Sequence, residues 1–240
     1  MANESGEWVA RALRYDAPER IKTPAELTAL VKRNGFLPLF ANGVEGFSVE
    51  ERTFVFDWWS DDPARDPWEW RKLLADAGEV AYGKFFAGKA GFVSLEWLPF
   101  FANWRRDGYD FDALWSDGKA DRREKLIMDL FADGGELFSN EIRRLAGFGK
   151  GGAKNFEGTL TALQHKFYLS VRDFRQRRSP GGDSYGWPIA VYSPPESRWG
   201  YGLLSSAYSE PPERSRERVF TRVRELYPNA TEKSVKDILK

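Results

Sequence analysis

The sequence predicts an α+β protein: a winged-helix (helix-turn-helix) module packed against a mixed α/β N-terminal part, with helices closing the C-terminus. Three observations carry this. Three helical segments follow one another between Lys119 and His165. After His165 the apolar period changes from helical spacing to two, with Phe167, Leu169 and Val171 alternating, then Tyr185, Trp187 and Ile189. Between these strands lies Arg175-Gln176-Arg177-Arg178-Ser179-Pro180-Gly181-Gly182, where Pro and Gly make the turn and arginines populate the tip. Helix, short helix, helix and a hairpin with a basic tip is the order of a winged helix.

The elements follow in order. The first ~20 residues lack periodicity and read as a frayed end. Thr23 caps a helix opened by Pro24, with Leu27, Leu30 and Val31 on one face and Gly35 as its stop. Phe36 to Phe40 is apolar, and Pro38 places it at a sheet edge or in a loop. Thr53 to Trp59 reads as a short strand. Asp66-Pro67-Trp68-Glu69 combines an acidic cap, a first-turn proline and a glutamate three after the cap, so a helix runs to about Ala77. Val80–Phe86 and Gly91–Ser94 read as strands around Ala87-Gly88-Lys89. Ser94 caps a helix through about Arg106, broken by Asp107-Gly108.

Lys119 to Phe131 reads as a helix with Leu126, Ile127, Leu130 and Phe131 inward. Ser139 caps a short helix to Leu145, and Gly147, Gly149, Gly151 and Gly152 form a flexible connection. Ala153 to about His165 is the third helix, with Phe156, Leu160 and Leu163 at helical spacing. Glu210–Leu226 and Thr231–Leu239 read as two terminal helices separated by Pro228-Asn229. The expected parts are a Trp- and Phe-rich segment 1–116, a winged-helix module 117–194 and a helical segment 195–240.

Composition removes several function classes. The chain has 240 residues, 42% hydrophobic and 15% aromatic, enough material for a core. It has no cysteine, hence no disulfide framework and no zinc–thiolate site. Its single histidine, His165, excludes a multi-histidine metal centre and would have to be the only base of a Ser-His-Asp hydrolase. No metal and no cofactor is expected, and no nucleotide fingerprint is present. No apolar run reaches ~18 residues and the start is polar, so a cytoplasmic protein without membrane contact is expected.

Net charge is zero, but unevenly spread. Glu50–Val80 holds nine acids against four bases, whereas Phe138–Gly182 holds nine bases against three acids. A basic winged helix points to double-stranded DNA, its third helix in the major groove and its wing on the backbone. Projected at about 100° per residue, Lys154, Gly158, Thr161 and His165 fall opposite the core side, with Glu157 and Gln164 on a shoulder. Lys150, Lys154, Thr161, Gln164 and His165 are the expected groove-facing residues, with Thr161 or Gln164 reading base edges. Arg172, Arg175, Arg177 and Arg178 are the expected phosphate contacts, neutralising about three phosphates. A solvated helix face and a solubilising loop are the alternatives.

The aromatics allow a second reading. Trp58, Trp59, Trp68, Trp70, Trp97 and Trp104 lie beside Asp57, Asp61 and Glu96. Aromatics with carboxylates suit a pocket for a flipped base, with Asp57 or Glu96 assisting bond cleavage. A core or interface made of these rings is the alternative. Trp68 and Trp70 cannot share one helix face, so one must project outward.

Two stretches resemble a known family. Leu137-Phe-Ser-Asn-Glu-Ile-Arg-Arg, the glycine turn, Gly158-Thr-Leu-Thr-Ala-Leu-Gln-His and the strand pair to Tyr192 resemble winged-helix modules of AlkZ-type DNA glycosylases. Tyr82-Gly-Lys-Phe-Phe-Ala-Gly-Lys-Ala-Gly-Phe-Val-Ser-Leu-Glu-Trp-Leu-Pro-Phe-Phe is similar to bacterial proteins grouped as AlkZ-related. That family is built from tandem winged helices and a β-barrel, and it excises alkylated bases and unhooks crosslinks; for this chain the resemblance implies the winged-helix fold and DNA contact. The family's catalytic signature is Gln-x-Gln or Gln-x-Asp. Here the only glutamines stand in Gln164-His165-Lys166 and Gln176-Arg177-Arg178. The signature is absent, and with it any catalytic assignment carried by resemblance.

Three readings follow. The first is a DNA-binding AlkZ-related protein without catalysis. The second is a glycosylase with a non-standard site, with Asp57, Glu96 and Gln164 as its candidates. The third is a protein-interaction module, including a homodimer in which the acidic part covers the basic wing.

Overall fold

The computed structural model describes residues 12–179 and 181–240. Expectations for residues 1–11 and for Pro180 lie outside the described residues. In chain order the elements are α1 (Pro24–Asn34), β1 (Phe36–Pro38), α2 (Pro67–Ala77), β2 (Val80–Phe86), β3 (Lys89–Ser94), α3 (Leu98–Arg106), α4 (Phe111–Ser116), α5 (Arg122–Met128), β4 (Leu137–Phe138), α6 (Ser139–Leu145), α7 (Phe156–His165), β5 (Ser170–Arg178), β6 (Ser184–Ser193), α8 (Pro195–Trp199), α9 (Tyr201–Leu204), α10 (Pro212–Leu226) and α11 (Glu232–Leu239). The fold is mixed α/β, and every strand pairing within a unit is antiparallel. The chain divides into two compact units, one reaching Leu98 and taking in Arg216–Lys240, the other Pro99–Ser215.

In the first unit two of the expected caps form. Thr23 accepts from the Glu26 N–H at 3.2 Å to start α1. Asp66 accepts from the Trp68 N–H at 2.8 Å to start α2, with Pro67 in its first turn. Strands β1, β3 and β2 lie in that order, so Pro38 sits on a strand that pairs with β3 alone in this unit's sheet. The β2–β3 turn places Ala87 (φ 49°) and Gly88 (φ 75°) in the left-handed region, as a primed hairpin turn requires. Phe36, Phe47, Phe86 and Phe92 are fully buried, with α11 packed on β2.

Three expectations fail here. Ser94 does not cap α3, which starts at Leu98, and its buried hydroxyl has no hydrogen-bond partner among the described residues. Thr53–Trp59 is not a strand: the 3-10 turn Val55–Asp57 occupies it, just after another at Glu50–Arg52, leaving one isolated bridge between Leu13 and Phe54. Local bonds win over extension, since the Thr53 hydroxyl donates to the Val49 carbonyl at 3.0 Å and accepts from Trp58 Nε1 at 2.8 Å. Nor is the described segment 12–20 frayed. Leu13 N–H donates to the Thr53 carbonyl at 3.0 Å, and buried Arg20 pairs with Asp57 at 2.8 Å.

In the second unit α5, β4, α6, α7, β5 and β6 follow in sequence, and β4 closes onto β6 in the order β5–β6–β4. α5 starts at Arg122 rather than Lys119, because Asp121 caps it by accepting from the Arg123 N–H at 2.7 Å. A 3-10 turn, Asp129–Phe131, completes the expected helix. Short helices α4, α8 and α9 were not expected. Buried Arg106, at the end of α3, binds this unit together. It pairs with Glu196, donates to the Phe167 carbonyl, and reaches the Tyr208 hydroxyl at 3.2 Å.

Candidate nucleic-acid interface

The basic stretch folds into three neighbours within the second unit: α6, α7 and the β5–β6 hairpin. α7 turns Phe156, Leu160 and Leu163 inward as expected, and Phe156 meets Phe148 edge-on at 5.3 Å. Asn155 precedes the helix at φ 65°. Its carboxamide folds back over Gly158, where a Cβ would stand 2.5 Å from the amide, so a larger residue there would displace the carboxamide. Lys166, just past the helix, binds the buried Glu124 of α5 at 2.7 and 2.8 Å and fixes the angle of α7.

The outward face differs from the expectation at two positions. Lys154, Glu157 and Gly158 are exposed and Thr161 is half-buried. Gln164 is buried, and its carboxamide donates to the Leu160 carbonyl at 3.1 Å. It lies only about 40° from Leu160 around the helix, and the core takes in Thr159 on the other flank as well. The Gln164 side chain is thus turned toward the core rather than outward, unlike the shoulder position expected. His165 is half-buried, and its ring takes a hydrogen bond from Arg105, whose guanidinium stacks on Trp104 at 3.9 Å. That ring is engaged with α3 rather than open to a groove.

The hairpin has a neutralised base and a free end. At the base Arg172 pairs with Glu136 at 2.6 Å, and Arg175 pairs with Glu136 and Asp173. The hydrogen bond from Arg175, with both arginine charges, holds the Glu136 carboxyl below its usual range despite partial burial. The same hydrogen bond raises the Arg175 guanidinium. Two expected phosphate contacts are thus balanced by two acids. Beyond them burial ends on both faces: Gln176, Arg177 and Arg178 on β5, and Ser184 to Trp187 on β6, are exposed. Arg177 lies over the Tyr185 ring at 4.9 Å, and Arg178 forms no ion pair among the described residues.

Four more cations share this unit's surface. Lys150 and Lys154, expected at the groove, are exposed and form no ion pair among the described residues. Arg143 and Arg144 of α6 are also exposed. They were counted in the basic stretch but not assigned to a site. Their adjacency in the last turn of a short helix was the available signal.

A family model described as AlkZ related matches residues 21–240. The chain belongs to the AlkZ-related family. No curated protein and no solved structure was found to match it. In this AlkZ-related chain the carboxylate candidates are placed as follows. Asp57 is buried, with one oxygen held by Arg20 at 2.8 Å and the other by Arg65 at 2.6 Å. Glu96 is exposed, ahead of α3. Of the four tryptophans around Asp57, two build core, and Trp59 is 53% exposed. Trp70 is fully buried, with Nε1 donating to the Ala64 carbonyl at 2.9 Å, and Trp58 is buried against Phe40. Trp68 is half-buried beneath the Arg71 guanidinium at 3.8 Å. Among the described residues no group of three or more His, Cys, Asp or Glu could hold a metal, and no helix is long and apolar enough to cross a membrane.

Proposed function

We propose that residues 117–194 of this AlkZ-related protein form a winged helix that binds double-stranded DNA without excising a base. The carrying observation is the β5–β6 hairpin: its base is packed and charge-balanced, while its end stands exposed on both faces with Arg177 and Arg178. The element order α5–β4–α6–α7–β5–β6, with β4 paired to β6, supports the winged-helix reading. In this reading α7 lies against the major groove, with Lys154 and Thr161 toward it. Lys150, Arg143, Arg144, Arg177 and Arg178 meet phosphates. Arg172 and Arg175 position the wing through Glu136. Such cations give affinity without base specificity, since phosphate contacts orient the protein and base-edge contacts specify sequence. The engagement of both Asp57 oxygens by arginines supports binding without catalysis.

The test is fluorescence anisotropy of a labelled duplex of about 20 base pairs, with Kd between about 10⁻⁴ and 10⁻⁶ M expected at physiological salt and tighter binding as salt falls. Abasic sites counted on alkylated duplex with protein in excess should stay at background. Absence of binding at low salt overturns the DNA-binding reading. Base release above background overturns its non-catalytic part and favours a glycosylase with a non-standard site.

A further inference from the structure

The β5–β6 hairpin displays one residue that phosphate binding does not use. Trp187 is 89% exposed, more than any other large hydrophobic residue described. Its side chain has no hydrogen bond and no ring contact among the described residues. Its exposure is built into the strand. Arg175 stands opposite Ile189 and Arg177 opposite Tyr185, so Gln176 alone faces Gly186, Trp187 and Pro188. β6 therefore bulges, and a bulge bends its strand and re-aims the side chains on it. Gly186 supplies the left-handed backbone this needs, at φ 74°, and Gln176 Nε2 pins the bulge by donating to the Gly186 carbonyl at 3.0 Å. Pro188 has no N–H with which to rejoin the ladder.

The surroundings decide the partner. Two exposed arginines, Arg177 and Arg178, follow Gln176 toward the tip of the same hairpin end as the bare indole, with Tyr185 half-exposed beneath Arg177. Cations take phosphates, and a flat ring takes the face of a base, which is the pattern of single-strand binding surfaces. In intact duplex each base face is covered by its neighbours, whereas an unpaired base offers one. We propose that Trp187 stacks on an unpaired base of DNA whose backbone is held by Arg177 and Arg178, so that the hairpin selects DNA containing an unpaired segment over intact duplex. The inference rests on the DNA-binding reading.

The full chain is titrated, by anisotropy, against an intact duplex of about 20 base pairs and the same duplex carrying a short unpaired loop. Wild type should bind the looped duplex at least about 5-fold more tightly, the size of one base–aromatic stack. Trp187→Ala should abolish that preference and leave the intact duplex bound as before, and Trp187→Phe should keep most of it. Arg177→Ala with Arg178→Ala should weaken both duplexes alike. Equal binding of the two duplexes by wild type, or equal loss on both in Trp187→Ala, overturns the stacking role and leaves the DNA-binding reading standing. Failure of wild type to bind either duplex overturns both.

Discussion

The double change Arg177→Ala, Arg178→Ala probes the interface where its arithmetic is sharpest. Each cation that neutralises a phosphate contributes about −0.9 to the slope of log affinity against log salt on duplex DNA. If Arg143, Arg144, Lys150, Lys154, Arg177 and Arg178 each meet one phosphate, the wild-type slope is about −5. Removing the two wing arginines makes it shallower by about 1.8. Between 50 and 200 mM salt, the defect of the variant should then shrink by about 12-fold. Both side chains are exposed at the end of a hairpin whose packing lies elsewhere, so the fold should be unaffected. The assay is an anisotropy titration at four or more salt concentrations, with circular dichroism as the folding check. A slope identical to wild type refutes the placement of the β5–β6 hairpin on DNA.

Other predictions follow from neighbouring contacts. Glu136→Gln releases Arg172 and leaves Arg175 paired with Asp173, so affinity should rise and the salt slope should steepen by about 0.9 in the same titration. Asp121→Ala removes the cap of α5 and should cost about 1 kcal/mol in urea denaturation. Hydrogen bonds from Arg123 hold the Asp121 carboxyl down at about 2. Its folded-state value lies below its unfolded one, so its contribution is present above pH ~4. It should be lost as pH falls toward about 2 in acid titrations monitored by circular dichroism. Arg106→Met leaves Glu196 and the Phe167 carbonyl without their partner, and chemical denaturation should register a loss of about 3 kcal/mol.

Much of this architecture is legible from local chemistry. Thr23-Pro24 and Asp66-Pro67 start helices because capping and a fixed proline φ act within one turn. The β5–β6 hairpin was legible from the turn residues between its two apolar runs rather than from their period, since Phe167 and Leu169 precede β5 and a bulge interrupts Tyr185, Trp187 and Ile189; the two terminal helices were legible from their helical period. Thr53–Trp59 misled because its apolar run suits a strand as well as two turns, and a threonine hydroxyl bonding back along the chain decided between them. Helices α4, α8 and α9 are four to six residues long, too short to show a period. At the site, the basic stretch was visible, but the pairing of its members was not. Glu136 lies 36 residues before Arg172 in sequence yet 2.6 Å away in space. Gln164 was misplaced because a three-residue apolar stripe understates how wide the core around α7 is. Trp187 was read as one of an alternating strand set, and only the register exposes the bulge that carries it outward.

The central claim is that DNA meets α7 and the end of the β5–β6 hairpin. Amide hydrogen exchange of the full chain, with and without a saturating duplex of about 20 base pairs at low salt, tests it most directly. The account predicts slowed exchange across Lys150–Ala162 and Gln176–Trp187, with little change in α1, α2 and α11. Slowed exchange confined to the tryptophan-rich segment Trp58–Trp70, with the hairpin unchanged, would contradict it.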